Sequence, residues 1–409
     1  MTLNLSLLRK HSQWPLVKEI LIKLNDKGFK AYIAGGAVRD LLLGKEPGDI
    51  DIATSAPPEF SEENFAKTLN VGKAFGTVIV VDKGFQVEVT TFRKDGPYKD
   101  GRHPSYVEFS DEKEDAARRD FTINSMFLEP FSEIIIDFFN GQKDLENKII
   151  RTVGEPKLRF KEDKLRMLRA FRFASQLDYK IDENTYQAIS EMVCSIYHVS
   201  KERVINELEK MSLGCASCRS WHEFLKSGLW SALNEIKREI ELPKSSDFEE
   251  FGANDLLSYY AFLTYWHNEY RQLDLLRKVG DWPFSKKFKT QLTKVMQSYF
   301  VLNSDSAFFK KALAFDSPQG TLALDLWKFD VVKNRRQTQD LDDFIQLFLI
   351  ISDKSGQLPR PLLQGNDLMA LGMKPSPEFQ KVLEKAYELQ VMNKINSKDR
   401  LIKIIANEV

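Results

Sequence analysis

The 409-residue chain carries 59 Lys and Arg against 59 Asp and Glu, a formal net charge of zero, so total charge points to no polyanionic partner and any such surface must be local. Its length predicts two to four domains with enough apolar material for real cores. No stretch approaches the roughly 20 apolar residues that span a bilayer, and MTLNLSLLRKHSQWP at the start lacks the apolar centre of a secretory signal, which predicts a cytoplasmic protein without membrane association.

Taken in chain order, residues 14–25 place Leu16, Val17, Ile20, Leu21 and Leu24 at helical spacing, and Gly28 should stop that helix. Short β-like runs follow, AYIAG, DIDIAT, GTVIVV, FQVEVTTF and EIIIDFF, separated by Gly, Pro and charged turns; they predict an α+β sheet domain ending near residue 150. From Glu162 onward the periodicity is almost wholly helical, through KLRMLRAFRFASQL, ENTYQAISEMVCSIY and ERVINELEKMSL. Breaks at ELPKSSDFEEFGAND and AFDSPQGT read as connections between helical subdomains. Three cysteines are too few for a disulfide framework, and the CxxC of Cys215 and Cys218 has no second pair to complete a zinc site.

The chemistry concentrates in GGAVRDLLLGKEPGDIDI, residues 35–52. Gly35 and Gly36 after a strand permit a tight turn and close backbone approach, VRDLLLG begins a helix there, and Arg39 sits in its first turn, so the turn is either plain structure or a phosphate cradle. In GDIDIAT, Asp49 and Asp51 are two apart, which on a strand projects both carboxylates from one face with Ile50 and Ile52 on the other. Like charges so placed repel unless a cation sits between them, and Mg²⁺ suits carboxylate and phosphate oxygens. The other reading is a solvated strand face, and a metal-dependent glycosyltransferase also uses DxD.

GGxVRD, a spacer and DxD together resemble the core of the polymerase-β-type nucleotidyltransferases, and specifically the class II tRNA nucleotidyltransferase and bacterial poly(A) polymerase family. The resemblance continues in order through EVTTFR (88–93), EDAARRDFTINSM (114–126), EDKLRMLRAFRFA (162–174) and SKERVINELEKM (200–211), and more loosely in LLQGNDLMALGMKPSPEFQKVL near the end. It implies an α+β nucleotidyltransferase head with a mixed sheet at 1–150, followed by an all-α neck for base selection at 151–213, a helical body at 214–340 and a helical tail holding tRNA at 341–409. It assigns the catalytic, metal-binding carboxylates to Asp49 and Asp51, and nucleotide contacts to Gly36, Arg39, Arg119, Asp163, Arg166, Arg169 and Arg172. Glu88 is either a further carboxylate beside the metals or the polar face of an alternating strand. The implied reaction adds C and A to the 3′ end of tRNA from CTP and ATP, with two Mg²⁺ ions and pyrophosphate leaving; no protein partner is implied.

Asp163 and Arg166, three apart, would share one face of a helix. An ionised Asp only accepts and an Arg only donates, which matches the amine and neighbouring acceptor of cytosine or adenine and mismatches uracil and guanine. By analogy with bidentate base readout, a wrong base would lose on the order of 1–3 kcal/mol. The alternative is a surface ion pair. Residues 151–173 hold eight basic side chains against three acidic ones, the composition of a phosphate-lined groove or of a solvated helix face.

Full CCA addition is expected over poly(A) synthesis, because VGKAFGTVIV lacks the basic run of the family's poly(A) polymerases and the chain stops at IIANEV. FRKDGPYKDGRHPSYVEF matches the flexible loop that CC-only enzymes lack, so full CCA or A-only addition fits better than CC-only addition, which stays an alternative with poly(A) synthesis. No HD-type histidine pattern suggests an accessory phosphatase. NSM replaces the family's usual NAM at 124–126, and Ser376 and Gln380 stand where its tail commonly has glycines. A catalytically silent RNA-binding module is the alternative from another class.

Overall fold

The structure is a computed structural model that describes residues 3–72, 75–98, 104–236, 239, 241–269, 274–374 and 376–408. It divides into two compact units, residues 1–245 with 254–256, and residues 246–253 with 257–409.

In the first unit, helices α1 (Leu5–Lys10) and α2 (Trp14–Asp26) precede strand β1 (Ala31–Ala34), helix α3 (Gly36–Leu42), strand β2 (Asp51–Thr54) and helix α4 (Pro58–Asn64). Strands β3 (Thr68–Gly72), β4 (Thr77–Asp82) and β5 (Phe85–Thr91) follow, then a separate hairpin of β6 (Arg93–Asp95) and β7 (Val107–Phe109). Helix α5 (Glu112–Ala117) leads into β8 (Phe127–Glu129) and β9 (Ile134–Ile136), and α6 (Gly141–Glu146) into β10 (Ile149–Ile150). The seven-stranded sheet has the order β3-β4-β5-β2-β1-β8-β9, with β2 and β5 parallel and its other pairs antiparallel. This is the expected mixed sheet; β3, β8 and the β6–β7 hairpin were not named from the sequence, and β8 is only three residues long.

Strand alternation supplies both faces of the sheet. Ile33, Ile52, Val87 and Val89 are buried together with the apolar stripe of α2, Leu16, Val17, Ile20, Leu21 and Leu24, and α2 packs on β1, β2 and β5. Ala34, Ala53, Phe92, Ala116 and Phe127 form a second buried cluster, with Tyr32, Ile136 and Phe139 packed against it. Gly28, at φ 81°, ends α2 as predicted, its N–H donating to Asn25 O at 2.9 Å.

The helical part of this unit runs through α7 (Pro156–Glu162), α8 (Arg166–Leu177), the short strand β11 (Lys180–Ile181), α9 (Glu183–Met192), α10 (Lys201–Ser212), α11 (Ser217–Lys226) and α12 (Leu229–Leu233). Helices α10 and α11 both pack on α8. Gly214 lets α11 close on α8, since a Cβ there would lie 2.1 Å from Ser175 Oγ. Helices α8, α10 and α11 thus pack together across residue 213, and the two compact units meet in the chain near residue 245.

The second unit is helical, with Lys286–Leu302 packed against Gly320–Lys333 and a C-terminal cluster of Leu363, Ala386, Ile395, Leu401 and Ile405. Its buried Asp330 accepts hydrogen bonds from Tyr265, Asn303, Asn334 and Arg336, which satisfies a carboxylate that would otherwise be costly to bury. Among the described residues no helix is long and apolar enough to cross a membrane.

Candidate active site

The glycine turn and the aspartates meet because β1 and β2 are antiparallel with Ala34 opposite Asp51. The residue leaving β1 and the residues entering β2 thus emerge at the same end of the sheet. Gly35 adopts φ 71° and ψ −126°, a conformation closed to residues with a Cβ, and a Cβ there would come within 2.9 Å of Arg119 Nη1. Its N–H donates to Met126 O at 3.1 Å, tying the turn to the approach of β8. Arg39, in the first turns of α3, donates from Nε to Asp40 Oδ1 at 2.8 Å and from Nη1 to Asn124 Oδ1 at 2.7 Å.

The strand begins at Asp51, so Asp49 lies in the connection before it rather than on the same strand face. Both nevertheless line one cleft of about 730 Å³. Asp51 keeps an exposed surface, yet protein encloses it closely enough that burial is the first cause pushing its carboxyl up to about 6, with Glu88 and then Asp49 adding to the effect against Arg119. Glu88 neighbours Asp51 through the parallel register that sets Ile52 opposite Val89. Among the described residues no group of three or more His, Cys, Asp or Glu is arranged to hold a metal, so Glu88 acts on Asp51 by charge and completes no ligand cluster. Two carboxylates lining one cleft, with ionisation disfavoured at Asp51 by burial and by its acidic neighbours, fit a hard divalent cation, which would relieve the repulsion.

The opposite wall comes from α7 and α8, and here the helix-face expectation for Asp163 and Arg166 is corrected. Asp163 ends α7 with extended backbone, φ −136° and ψ 107°. Its Oδ1 accepts from Leu165 N at 3.0 Å, a local bond that competes with helix continuation. Asp163 and Arg166 are not paired with each other. Asp163 Oδ2 accepts from Arg203 Nη2 at 2.9 Å. Arg166 donates from Nη1 to Glu162 Oε2 at 2.7 Å and Arg159 O at 3.2 Å, and from Nη2 to Arg118 O at 2.9 Å. Three of the five guanidinium N–H groups are thereby fixed, leaving donors for a ligand.

Arg169 binds Asp120 Oδ2 through Nε at 2.8 Å and Nη2 at 2.5 Å. Burial works to raise the Asp120 carboxyl, but the Arg169 and Arg166 charges and hydrogen bonds from Arg169 and Asn124 outweigh it and hold it down at about 2. Arg172 pairs with Glu207 at 3.2 Å, and its buried Nε has no hydrogen-bond partner.

All nine site residues expected from sequence, Gly36, Arg39, Asp49, Asp51, Arg119, Asp163, Arg166, Arg169 and Arg172, line this cleft. So do Arg118, Asp120, Asn124, Phe173, Gln176, Arg203 and Lys210, which the sequence reading did not single out. Most fall inside the quoted motifs, so the signal was present without a role attached. The basic run at 151–173 splits. Arg151 pairs with Asp144 and Asp182, Lys157 with Glu191 and Arg159 with Glu162, whereas Arg166, Arg169 and Arg172 face the cleft. The tips of two quoted loops, residues 73–74 in VGKAFGTVIV and 99–103 in FRKDGPYKDGRHPSYVEF, lie outside the described residues.

A mixed-sheet head that presents a glycine turn and an aspartate pair to a wall of arginines defines a polymerase-β-type nucleotidyltransferase. Residues 31–151 match the family model described as "Poly A polymerase head domain", and residues 178–239 the one described as "Probable RNA and SrmB- binding site of polymerase A". The CCA-adding enzyme of Lactobacillus helveticus is 35% identical over 392 residues, covering 94% of this chain and 95% of that protein. The CCA-adding enzyme of Enterococcus faecalis is 50% identical over 201 residues, 49% of this chain and 48% of that protein. The chain belongs to the CCA-adding enzyme family. Among solved structures, the Bacillus stearothermophilus CCA-adding enzyme in complex with CTP superposes with a TM-score of 0.74 at 28% identity, covering 97% of this chain and 99% of that one. The Thermotoga maritima CCA-adding enzyme complexed with tRNA shares the fold at 21% identity, with a TM-score of 0.73 and full coverage of both chains. Enzymes of this family are nucleotidyltransferases that use divalent metals.

Proposed function

We propose that this protein adds C and A, without a nucleic-acid template, to the 3′ end of tRNA from CTP and ATP. The observation that carries the proposal is the single cleft in which Asp49 and Asp51 face Asp163, Arg166 and the arginines of α8. In the reaction the tRNA 3′-oxygen bonds to the α-phosphorus, the bond to the β-phosphate oxygen breaks, the hydroxyl proton is released and pyrophosphate leaves. Asp49 and Asp51 would hold divalent ions, Mg²⁺ in this proposal, which supply charge stabilisation to the attacking and leaving oxygens.

The remaining roles belong to the chain's own side chains. Arg39, Arg119, Arg169 and Arg172 bind the phosphates, with Gly36 allowing close approach of the backbone. Asp163, held by Arg203 and Leu165 N, accepts from the exocyclic amine of C or A. Arg166 offers its uncommitted donors to the adjacent base acceptor, and uracil or guanine would set a carbonyl against the Asp163 carboxylate. The segment to about residue 150 serves as catalytic head and the helices after it as base-selecting neck, with the second unit contributing to the hold on tRNA.

The test is incubation of tRNA lacking its CCA end with labelled CTP and ATP, separately and together. Extension by CC and then A supports the proposal. Addition of A alone would mark an A-adding enzyme, a long A tract a poly(A) polymerase, and binding without extension a silent RNA-binding module.

A further inference from the structure

Three guanidiniums converge on one aromatic ring in the cleft wall. Arg172, Arg169 and Arg39 lie over the ring of Phe173 at 4.1, 5.4 and 5.4 Å from its centroid. Two of these arginines share helix α8 with Phe173, while Arg39 comes from α3 of the sheet domain. Phe121 meets Phe173 edge to face at 5.6 Å and 79°, which fixes the plane of the ring. Phe173 is 6% exposed, so the attraction between its quadrupole and the cations is little screened. Each guanidinium also has a carboxylate partner, Asp40, Asp120 and Glu207 respectively for Arg39, Arg169 and Arg172. Those pairs leave the three cations close together in the absence of substrate, where they repel one another. Burial and then the neighbouring Arg169 lower the Arg172 guanidinium to about 10. Arg172 Nε is buried without a hydrogen-bond partner.

We propose that Phe173 is a positioning residue for the reaction, its ring holding Arg39, Arg169 and Arg172 in one fan directed at the phosphates of the incoming nucleotide. The ring lets the three cations sit together before substrate binds, so the site meets a triphosphate already assembled and loses little side-chain freedom on binding. Phosphates are common to every nucleotide, so Phe173 sets affinity for CTP and ATP alike and leaves the choice of base to Asp163 and Arg166. This inference rests on the reading above that these arginines bind the nucleotide.

The experiment replaces Phe173 in the full chain with mono-, di- and pentafluorophenylalanine, a series that nearly preserves shape and apolar burial while draining and then inverting the charge on the ring face. The expected result is a KM for CTP and for ATP that rises together and in step with fluorination, reaching about tenfold for the pentafluoro ring, while kcat changes little and the melting temperature holds. Phe173→Tyr, which restores the ring face, should keep a near-native KM. Arg169→Ala and Arg39→Ala are measured in parallel. If these raise KM and the fluorinated series does not, the positioning role is overturned and the reading of the arginines stands. If neither the arginine variants nor the fluorinated series moves KM, both fall together. A KM that rises for one nucleotide only would also overturn the proposal, because it would place Phe173 with the base and not with the phosphates.

Discussion

Arg203 Nη2 and Asp163 Oδ2 lie 2.9 Å apart across 40 residues of sequence, so the carboxylate proposed to read the base is oriented by a side chain from α10. The second Asp163 oxygen is taken up by Leu165 N. The carboxylate thus has one allowed orientation, with lone pairs left over for a nucleobase amine.

Asp163→Ala should therefore keep turnover but lose discrimination, with U and G incorporated far more often relative to C and A. Glu162 and the Arg118 and Arg159 carbonyls still hold Arg166 in place in that variant. Arg203→Ala should produce a weaker form of the same defect, on the order of tenfold in selectivity, within the 1–3 kcal/mol that one base contact carries. The assay is single-nucleotide incorporation with each of the four triphosphates on one tRNA. Wild-type selectivity in Asp163→Ala would remove the pair from base readout.

Asp49→Ala and Asp51→Ala should each abolish incorporation of C and of A while leaving tRNA affinity nearly unchanged, because a carboxylate offers a phosphate no donor or positive charge. Extension assays and filter binding on the same preparations separate the two effects. Substantial residual incorporation in either variant would exclude it from the metal-holding role.

Acid should weaken the first unit through Asp120. Its folded carboxyl sits at about 2, below the ordinary value near 3.9, so its contribution is complete above the unfolded value and is lost as pH falls through the folded one. The size is about 2–3 kcal/mol. Urea denaturation at a series of pH values between about 5 and 2 should show this loss, and Asp120→Asn should be less stable at neutral pH with a flatter acid limb. An unchanged acid limb in Asp120→Asn would show that other carboxylates govern it.

Gly35→Ala should destabilise the head by about 1–3 kcal/mol, the usual range for a residue forced into a sparsely populated backbone region, and displace Arg119, whose Nη1 would lie 2.9 Å from the new Cβ. Thermal denaturation reads the first effect and KM for CTP and ATP the second. Gly28→Ala is the control: φ is also positive at 81°, but nothing lies within 4 Å of a Cβ there, so it should lower stability without touching KM.

The chemistry of the site was legible wherever it is carried by neighbours in the chain. The glycine pair at the start of a helix, the two aspartates at the entry to a strand and the arginine row of α8 each state their residue types and spacing directly, and all nine of the expected residues line one cleft. The apolar periodicity of α2 and the strand runs named most of the head for the same reason, since a helix or strand face is a local pattern. Tertiary structure alone decided the rest. The register that sets Ala34 opposite Asp51 brings the turn to the aspartates, and Asp163, outside the helix, is held by Leu165 N nearby and by Arg203 of α10. Asp120 acquires Arg169 over 49 residues, and Arg166 reaches the Arg118 carbonyl over 48. Such partners are chosen by which surfaces pack, and the energy of that choice is spread over buried contacts far from the charged groups themselves. A sequence read locally records that an arginine is present; only the packed chain determines which carboxylate it meets and which of its donors remain free for a nucleotide.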